Sequence, residues 1–272
     1  MTTDDYSFSK FSQNTFYEGL NAQLVDMADL SMDRRIVDLA CGTGGVTNLI
    51  VGRLNNARES VVIAVDHSAG ALKQAMENLK DRRDAAIQFV HSQVEGLSDS
   101  LKESVDTVVF CNAIHYIPDK DALLDDIARS LNPGGKFAFN TSFYEGSHPP
   151  ESEAYYRKWM FKSIRTLRRE YGLRPGRAEK VESRKQLTVD QYRELLEAHG
   201  MTIVRQNIET VQVPIEGWLD ISGFQDFIEG TLPGVPLKEA SEALQSGVRQ
   251  TFDEMEITHV PRSWLGIIAV RS

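Results

Sequence analysis

The sequence is poor in cysteine, lacks long apolar runs and carries no excess of positive charge. Its 272 residues include two cysteines, Cys41 and Cys111, which are too few for a disulfide framework. A bilayer-spanning helix needs roughly 18 or more apolar residues in a row, and the sequence contains no such run. The polar stretch MTTDDYSFSKFSQN does not have the pattern of a secretory signal. We therefore expect a cytoplasmic protein with reduced cysteines and no membrane span.

Acidic residues outnumber basic ones. The chain has 30 basic and 39 acidic residues and a formal net charge of −9, which argues against a nucleic-acid partner. The charge is unevenly distributed, because residues 157–185 contain 11 basic and 3 acidic residues. This one segment is therefore electrostatically unlike the rest of the molecule.

Short apolar runs alternate with helical patterns between residues 35 and 143. Ser68 stands at the N-cap position of one of these helical patterns. Such alternation indicates a parallel sheet covered by helices on both faces, and such sheets bind ligands beyond the carboxyl ends of their strands. Strands are predicted at residues 36–40, 61–67, 87–92, 105–112 and 136–143, with helices at about 45–54, 68–81 and 119–131.

The alternation lapses after residue 143. An amphipathic helix is predicted at 154–171, a helix capped by Thr188 follows, and strands are predicted at 201–213 and 263–271. The predicted domains are an N-terminal helical flap at 1–30, a core at 31–143, 187–213 and 262–272, a basic helical cap insertion at 144–186, and a second helical cap insertion at 214–261.

The stretch VDLACGTGGVT, residues 37–47, places an acidic residue in a predicted strand before a glycine-rich turn. Glycines at a strand-to-helix turn allow a ligand to approach the backbone and the helix N-terminus. A dinucleotide phosphate would fit the glycines, but Asp38 would repel it and suits a cationic ligand. Asp66, at the end of the second strand, has the chemistry of a ribose-binding carboxylate. The two carboxylates indicate a nucleoside whose other end is positively charged.

The series VDLACGTGG, AVDHS, FCNAIHYIPD and LNPGGKF occurs in this order in the chain. It resembles the class I S-adenosylmethionine-dependent methyltransferases, in particular the small-molecule branch typified by ubiquinone- and menaquinone-biosynthesis enzymes. The resemblance covers residues 34–143, about two fifths of the chain. It implies a Rossmann-like, doubly wound α/β fold with a seven-stranded, mostly parallel sheet, an antiparallel last strand and helical cap insertions. It also implies a methyltransferase that uses S-adenosyl-L-methionine.

The resemblance further implies roles for individual residues. Asp66 would bind the ribose, His67 would lie beside the adenine, and the carbonyl of Asn112 would approach the methionine amino group. Gln93 stands where the family often has Asp, so its bond to the adenine would lack charge assistance. The implied cofactor-binding set is Asp38, Ala40, Gly42, Thr43, Gly44, Asp66, His67, Gln93, Val94, Asn112 and, on the flap, Tyr17.

The methyl acceptor is less well defined by the sequence. Aromatic residues in the cap insertions favour a small, largely hydrophobic acceptor methylated at O or C, and the basic helix face favours an anionic one or one delivered by an acidic carrier protein. His115 is a candidate base or a packing residue, and no residue spacing indicates a metal. The candidate substrate residues are Tyr144, Tyr156, Trp159, Trp218, Lys162 and Arg165.

Two other function classes remain open. A nicotinamide-dependent oxidoreductase could use a similar sheet, although Asp38 and the missing GxGxxG spacing disfavour it. A regulatory or assembly protein could bind S-adenosylmethionine without catalysis. The protein is expected to be a monomer or a homodimer.

Overall fold

Seven strands form one sheet in the computed structural model, which describes residues 6–55, 57–82, 85–176 and 185–272. The strands lie in the order β3-β2-β1-β4-β5-β7-β6. Neighbours from β3 to β5 are parallel, and β7 is antiparallel to β5. The strands are β1 (Arg35–Leu39), β2 (Val61–Asp66), β3 (Ala86–His91), β4 (Val105–Cys111), β5 (Leu131–Thr141), β6 (Met201–Pro214) and β7 (His259–Arg271). The predicted mostly parallel, seven-stranded sheet with an antiparallel last strand is confirmed.

Helices connect the strands and fill the predicted insertions. The α-helices of the described residues are α1 (Ser9–Ser12), α2 (Thr15–Ala28), α3 (Gly45–Val51), α4 (Ala69–Asn78), α5 (Leu97–Ser100), α6 (Lys120–Ser130), α7 (Glu153–Glu170), α8 (Val189–Ala198), α9 (Ile215–Ile221), α10 (Gln225–Thr231) and α11 (Leu237–Met255).

The helix starts follow the local sequence. The Ser68 hydroxyl accepts a hydrogen bond from the Ala71 N–H at 3.2 Å, as its N-cap position predicts. Thr188 and Gln191 form a capping box at the start of α8. Both predicted caps are confirmed.

Several element ends differ from the prediction, among them the end of α3 and the start of β5. Helix α3 stops at Val51, three residues early, because Gly52 follows and glycine is a poor helix former. Strand β5 begins at Leu131 because that residue pairs with Val105 of β4, although a register irregularity follows. The sequence did not predict this start, because the residues between Leu131 and Lys136 are typical of a turn and the partner strand β4 is distant in the sequence.

Both faces of the sheet are buried, as a parallel sheet requires. On one face, Val37, Phe110 and Phe139 pack in a cluster that also includes apolar residues of α6 and α8. On the other, Ile36 and Val109 cluster with apolar residues of α2 and α3. The alternation of strand side chains thus fixes which helices cover each face.

The described residues divide into two compact units. The sheet unit comprises Glu18–Glu145, Lys185–Glu209 and Trp264–Ser272. The helical unit comprises the described residues within Met1–Tyr17, Gly146–Arg184 and Thr210–Ser263. The finer division into flap, core and cap insertions stays a prediction.

Candidate functional site

Three buried polar residues lie at or next to the carboxyl ends of adjacent strands in the sheet unit. Asp38 on β1 is 1% exposed, Asp66 at the end of β2 is 5% exposed, and Asn112 directly after β4 is 7% exposed. Because β2, β1 and β4 are parallel neighbours, these ends meet at one edge of the sheet. The structure therefore brings together the polar strand ends that the sequence singled out.

The turn after β1 uses backbone conformations that most residues avoid. Ala40, Gly42 and Gly44 have φ angles of 55°, 54° and 88°. A Cβ atom on Gly44 would lie 2.9 Å from Leu79 Cδ1 and 3.2 Å from Ala75 Cβ, so glycine allows close packing against α4 as well as the positive φ. A Cβ atom on Gly42 would meet no atom within 4 Å. A ligand could therefore approach the backbone at Gly42, whereas Gly44 allows the turn to pack against the rest of the protein.

Asp66 links this turn to the second strand. Its Oδ2 accepts a hydrogen bond from the Gly42 N–H at 2.8 Å, and its Oδ1 accepts one from the Ser68 N–H at 2.8 Å. Each carboxylate oxygen can accept a further bond, so Asp66 can hold the turn and a ligand hydroxyl pair together. The largely exposed His67 ring lies beside it, with Nδ1 3.6 Å from Asp66 Oδ1.

The pKa of Asp38 is well above the usual value for an aspartate. Thr47 on α3 donates a hydrogen bond to Asp38 Oδ2 at 2.6 Å. Burial raises the pKa of Asp38 to about 7, the negative charge of Asp66 adds to the increase, and the bond from Thr47 opposes it. A positive charge beside Asp38 would lower this pKa and favour the carboxylate. The residue therefore fits the cationic end of a nucleoside ligand.

Asparagine side chains hold the backbone after β4. Asn112 is in the left-handed region with φ of 49°. Its N–H donates to Asn140 Oδ1 at 2.8 Å, and its own Oδ1 accepts from the Ser142 N–H at 3.0 Å. Asn140 in turn donates to Asn21 Oδ1 at 2.9 Å. Sequence reasoning missed Asn140 and Asn21; the signal was an amide at the end of the apolar run KFAF.

The turn after β3 carries Gln93 and Val94. The Gln93 side chain is exposed and makes no capping bond to the turn that follows. Val94 is buried and belongs to the main core of the sheet unit. Of these two residues, Gln93 is therefore the one that offers a polar side chain to a ligand.

His115 lies in the turn after β4. Its ring is buried, and Nδ1 is 3.1 Å from Thr141 Oγ1 at the end of β5. The Tyr116 and Phe143 rings lie 4.1 Å and 5.4 Å from it, centroid to centroid. The same Thr141 oxygen accepts the Phe143 N–H at 3.0 Å. Thr141 thus fixes the orientation of the imidazole, a contact that the sequence did not reveal.

Tyr144 and Tyr17 are both deeply buried, in different units. Tyr144 is part of the main core of the sheet unit. Tyr17, assigned to the helical unit, packs edge-on against Phe8 and Phe11 with ring centroids 5.5 Å and 5.3 Å away. Each tyrosine therefore packs within its own unit.

The other candidate substrate residues all lie in the helical unit. Trp159 is buried and donates its indole N–H to the Leu244 carbonyl at 2.9 Å. Trp218 is buried against Tyr156, with ring centroids 5.5 Å apart. These aromatic rings form a packed cluster within the unit.

The basic face of α7 is partly neutralised. Lys162 and Lys158 both form ion pairs with Glu254 of α11. Hydrogen bonds and charge attraction from the two lysines lower the pKa of Glu254 to about 2. Arg165 is exposed. The shared carboxylate therefore weakens the case for Lys162 as an anion-binding residue.

The sheet order, the strained turn after β1 and the acidic strand ends define a Rossmann-like fold of the methyltransferase type. Residues 37–137 match the family model described as a methyltransferase domain. Over the described residues, no helix combines the length and the apolar character needed to cross a membrane.

Proteins with similar sequences carry methyltransferase names. A trans-aconitate 2-methyltransferase of Methylobacterium nodulans is 34% identical over 43% of this chain and 42% of its own length. A ubiquinone biosynthesis O-methyltransferase of Paracidovorax citrulli is 29% identical over 40% of this chain and 43% of its own length. The chain thus spans less than half of the length of these relatives.

A solved structure extends the fold similarity to the whole chain. The phosphoethanolamine N-methyltransferase 2 of Haemonchus contortus, solved with phosphomonomethylethanolamine and S-adenosylhomocysteine, has a TM-score of 0.58 and 18% identity. The match covers 99% of this chain and 57% of that one. The resemblance to class I S-adenosylmethionine-dependent methyltransferases is confirmed.

Proposed function

We propose that this protein transfers a methyl group from S-adenosyl-L-methionine to an oxygen or carbon atom of a small molecule. The observation that carries the proposal is the placement of Asp38, Asp66 and Asn112 at the ends of three adjacent parallel strands, with Asp66 bonded to the open backbone of Gly42. The N–H groups of Gly42 and Ser68 both donate to Asp66, so protein hydrogen bonds define the shape of this turn.

Each end of the cofactor has a matching set of groups. Asp66 would accept from the ribose hydroxyls, and His67, Gln93 and Val94 would surround the adenine. Asp38 and Asn112 would face the methionine end, together with the turn residues Ala40, Gly42, Thr43 and Gly44. Gly42 is the point of closest approach, since it alone of the two site glycines has open space beside it.

The cofactor supplies an electrophilic methyl group on a positively charged sulfur atom. The chain then has to orient the acceptor and exclude water, because alignment alone lowers the barrier by several kcal/mol. His115 is the candidate base for an acceptor that must lose a proton. Thr141 would position it through Nδ1.

We propose a small, largely hydrophobic acceptor. The half-buried ring of Tyr156 and the buried rings of Trp159 and Trp218 support an acceptor with an apolar or flat portion. Similarity to a trans-aconitate methyltransferase supports an anionic acceptor. The alternative acceptor is an acid bound to an acidic carrier protein, which the methyl-transfer assay tests when it is supplied in place of the free acid.

The two cysteines are free and buried, which supports a reducing, cytoplasmic setting. We also propose that the protein is active as a monomer or a homodimer. Sedimentation of the full chain with and without S-adenosylhomocysteine would determine the number of copies.

The proposal is tested by calorimetry and by methyl transfer. S-adenosylhomocysteine should bind with a dissociation constant in the micromolar range or below, and NAD should not bind. Transfer of a labelled methyl group from S-adenosyl-L-methionine to trans-aconitate, or to a component of a metabolite extract, should then be detected. Binding of NAD alone would instead support an oxidoreductase. Cofactor binding without transfer to any acceptor would support a regulatory protein.

A further inference from the structure

Strand β6 is the last strand in the order of the sheet. One of its edges pairs with β7, and the other pairs with no strand of the residues that the structure describes. The strand runs from Met201 to Pro214 and is 14 residues long. We define the β6 edge as residues 203–209, which all belong to the sheet unit. Backbone N–H and C=O groups along such an edge form a template for another strand.

The β6 edge lacks most of the features that keep edge strands from pairing. Proteins protect such edges with lysine, proline, bulges or very short strands. Residues 203–209, with the sequence IVRQNIE, contain no lysine, proline or glycine. β-branched side chains favour strands, and two of them, Val204 and Ile208, are 55% and 48% exposed. A long edge of this composition is therefore well suited to bind a partner strand.

The two charged residues of the β6 edge, Arg205 and Glu209, lie on one face of the strand. Arg205 Nη1 donates to the Met27 carbonyl at 2.8 Å, and Gln23 Nε2 donates to Glu209 Oε2 at 3.4 Å. Met27 and Gln23 both belong to α2, so both charges lie on the face next to this helix. Neither charge has an ion-pair partner among the described residues. Each can therefore interact with an opposite charge on a partner strand.

The two charges are placed symmetrically about Asn207. Arg205 precedes Asn207 by two residues, and Glu209 follows it by two. When two copies of a strand pair antiparallel about a two-fold axis at position 207, residues at equal distances on either side face each other. Arg205 then lies opposite the partner's Glu209, and Glu209 lies opposite the partner's Arg205. Opposite charges across a strand pair are favourable, so the β6 edge is complementary in charge to a second copy of itself.

The same register brings the exposed aliphatic side chains together. Gln206 lies opposite the partner's Ile208, which makes Ile208 a diagonal neighbour of the partner's Val204. Diagonal neighbours are about 7–8 Å apart in a strand pair, within reach of long side chains. Val204 and Ile208 of both copies therefore form one apolar patch on the face opposite to the charges. A shift of the axis to position 206 would place Arg205 opposite the partner's Asn207 and remove both ion pairs.

We propose that the β6 edge is the interface of a homodimer, in which the β6 strands of two copies pair antiparallel about Asn207. The pairing joins the two seven-stranded sheets into one continuous sheet. Because the same surface is used on both copies, the assembly closes at two chains and covers the β6 edge without forming a fibre. The dimer is independent of the proposed methyl transfer, since its interface uses no residue of the cofactor site.

Sedimentation velocity of the full chain at increasing concentration tests the charge pairing. The wild type should form a dimer at micromolar concentrations. Arg205→Glu and Glu209→Arg should each weaken the dimer about tenfold or more, because each places like charges opposite one another at two symmetric positions. The double variant Arg205→Glu/Glu209→Arg restores opposite charges and should recover most of the affinity. Arg168→Glu, which reverses an exposed arginine of α7, should leave the dimer unchanged.

Two cysteine variants test the register and replace the charge variants if those do not fold. Asn207→Cys places the two new thiols directly opposite, where Cα atoms are about 4.5–5.5 Å apart and a disulfide can form. Gln206→Cys places them diagonally, about 7–8 Å apart. Oxidation with copper phenanthroline should therefore give a covalent dimer mainly in Asn207→Cys on a non-reducing gel. Cys41 and Cys111 are buried, so the wild type should give none.

Three results would overturn the β6 dimer. These are a wild type that stays monomeric at every concentration, a double charge variant that dimerises no better than the single variants, and a larger yield of covalent dimer from Gln206→Cys than from Asn207→Cys. Failure of S-adenosylhomocysteine to bind would overturn the methyl-transfer proposal instead. Sedimentation and cross-linking are carried out without cofactor, so the two failures are distinguishable.

Discussion

The Asp66 carboxylate at the end of β2 accepts the backbone N–H of Gly42 in the turn after β1, with Oδ2 2.8 Å from the nitrogen. The residue proposed to bind the ribose therefore also shapes the turn that the methionine end would contact. Substitutions at this position should affect both the stability of the turn and the affinity for the cofactor.

Replacing Asp66 by Ala should weaken S-adenosylhomocysteine binding ten- to a hundredfold. The reason is that hydrogen bonds to a charged group contribute about 1.5–3 kcal/mol. The variant also leaves the Gly42 and Ser68 N–H groups without their acceptor, so the free energy of unfolding should fall by about 1–3 kcal/mol. Calorimetry and urea unfolding measure the two effects, with Asp190→Ala on α8 as a control. Wild-type affinity in Asp66→Ala would refute the ribose assignment.

The stability of the ligand-free protein should fall as the pH rises from about 4 to 7 because of Asp38. Its folded pKa is about 7, whereas an unfolded Asp titrates near 3.9. The folded state therefore binds more protons across this window, and the unfolding free energy decreases with pH by a few kcal/mol at most. Asp38→Asn should remove this part of the slope and bind cofactor less tightly. Urea unfolding at pH 5 and pH 8 compares the two proteins, and equal slopes would contradict the prediction.

Ala substitutions at the two glycines of the turn should affect different properties. Gly44→Ala should mainly lower the stability, and Gly42→Ala should mainly lower the affinity for the cofactor. Gly44→Ala places a methyl group 2.9 Å from Leu79 Cδ1 at a φ of 88°, so it should lower the unfolding free energy by more than about 2 kcal/mol. Gly42→Ala has open space, so it should cost only about 1 kcal/mol through its left-handed backbone. Cofactor affinity should drop more for Gly42→Ala. Calorimetry on both variants provides the comparison, and a reversed order would place the ligand elsewhere.

A second pH effect should come from His199, which lies directly after α8. Its Nδ1 is 2.6 Å from Asp125 Oδ1, and its Nε2 is 3.0 Å from Asp121 Oδ1. Burial lowers the pKa of His199, but the hydrogen bonds to Asp121 and Asp125 outweigh burial and raise it. The stabilisation is therefore complete below about pH 6.5 and is lost as the pH rises through the folded pKa. His199→Gln should destabilise the protein by about 1 kcal/mol at pH 6 and by less at pH 9. Thermal unfolding at both values checks this difference.

Local patterns in the sequence were sufficient to locate the strands, although not all of their ends, and two helix caps. Ser68 and Thr188 cap their helices through atoms three residues away, so sequence spacing determines the contact. The meeting of Asp38 and Asp66 also follows from a simple rule, since parallel neighbouring strands end at the same edge. The seven-stranded sheet with its antiparallel last strand came from the family resemblance and not from periodicity.

Contacts between distant side chains could not be predicted. His115 meets Thr141 across 26 residues, and Arg262 meets Tyr156 across 106. Such pairs depend on how elements pack, and no local signal distinguishes these residues from ordinary polar ones. The basic face of α7 was misleading for the same reason, because its partner Glu254 is 96 residues from Lys158.

The contact between Gly44 and Leu79 has a consequence for how this sequence can change over time. A methyl group at position 44 would crowd the side chain of Leu79, which directly follows α4 and is 35 residues away in the sequence. A larger residue at position 44 would be tolerated only after position 79 had become smaller, although the backbone strain would persist. Substitutions at these two positions should therefore occur together among descendants of this chain, and Leu79→Ala should partly restore the stability lost in Gly44→Ala.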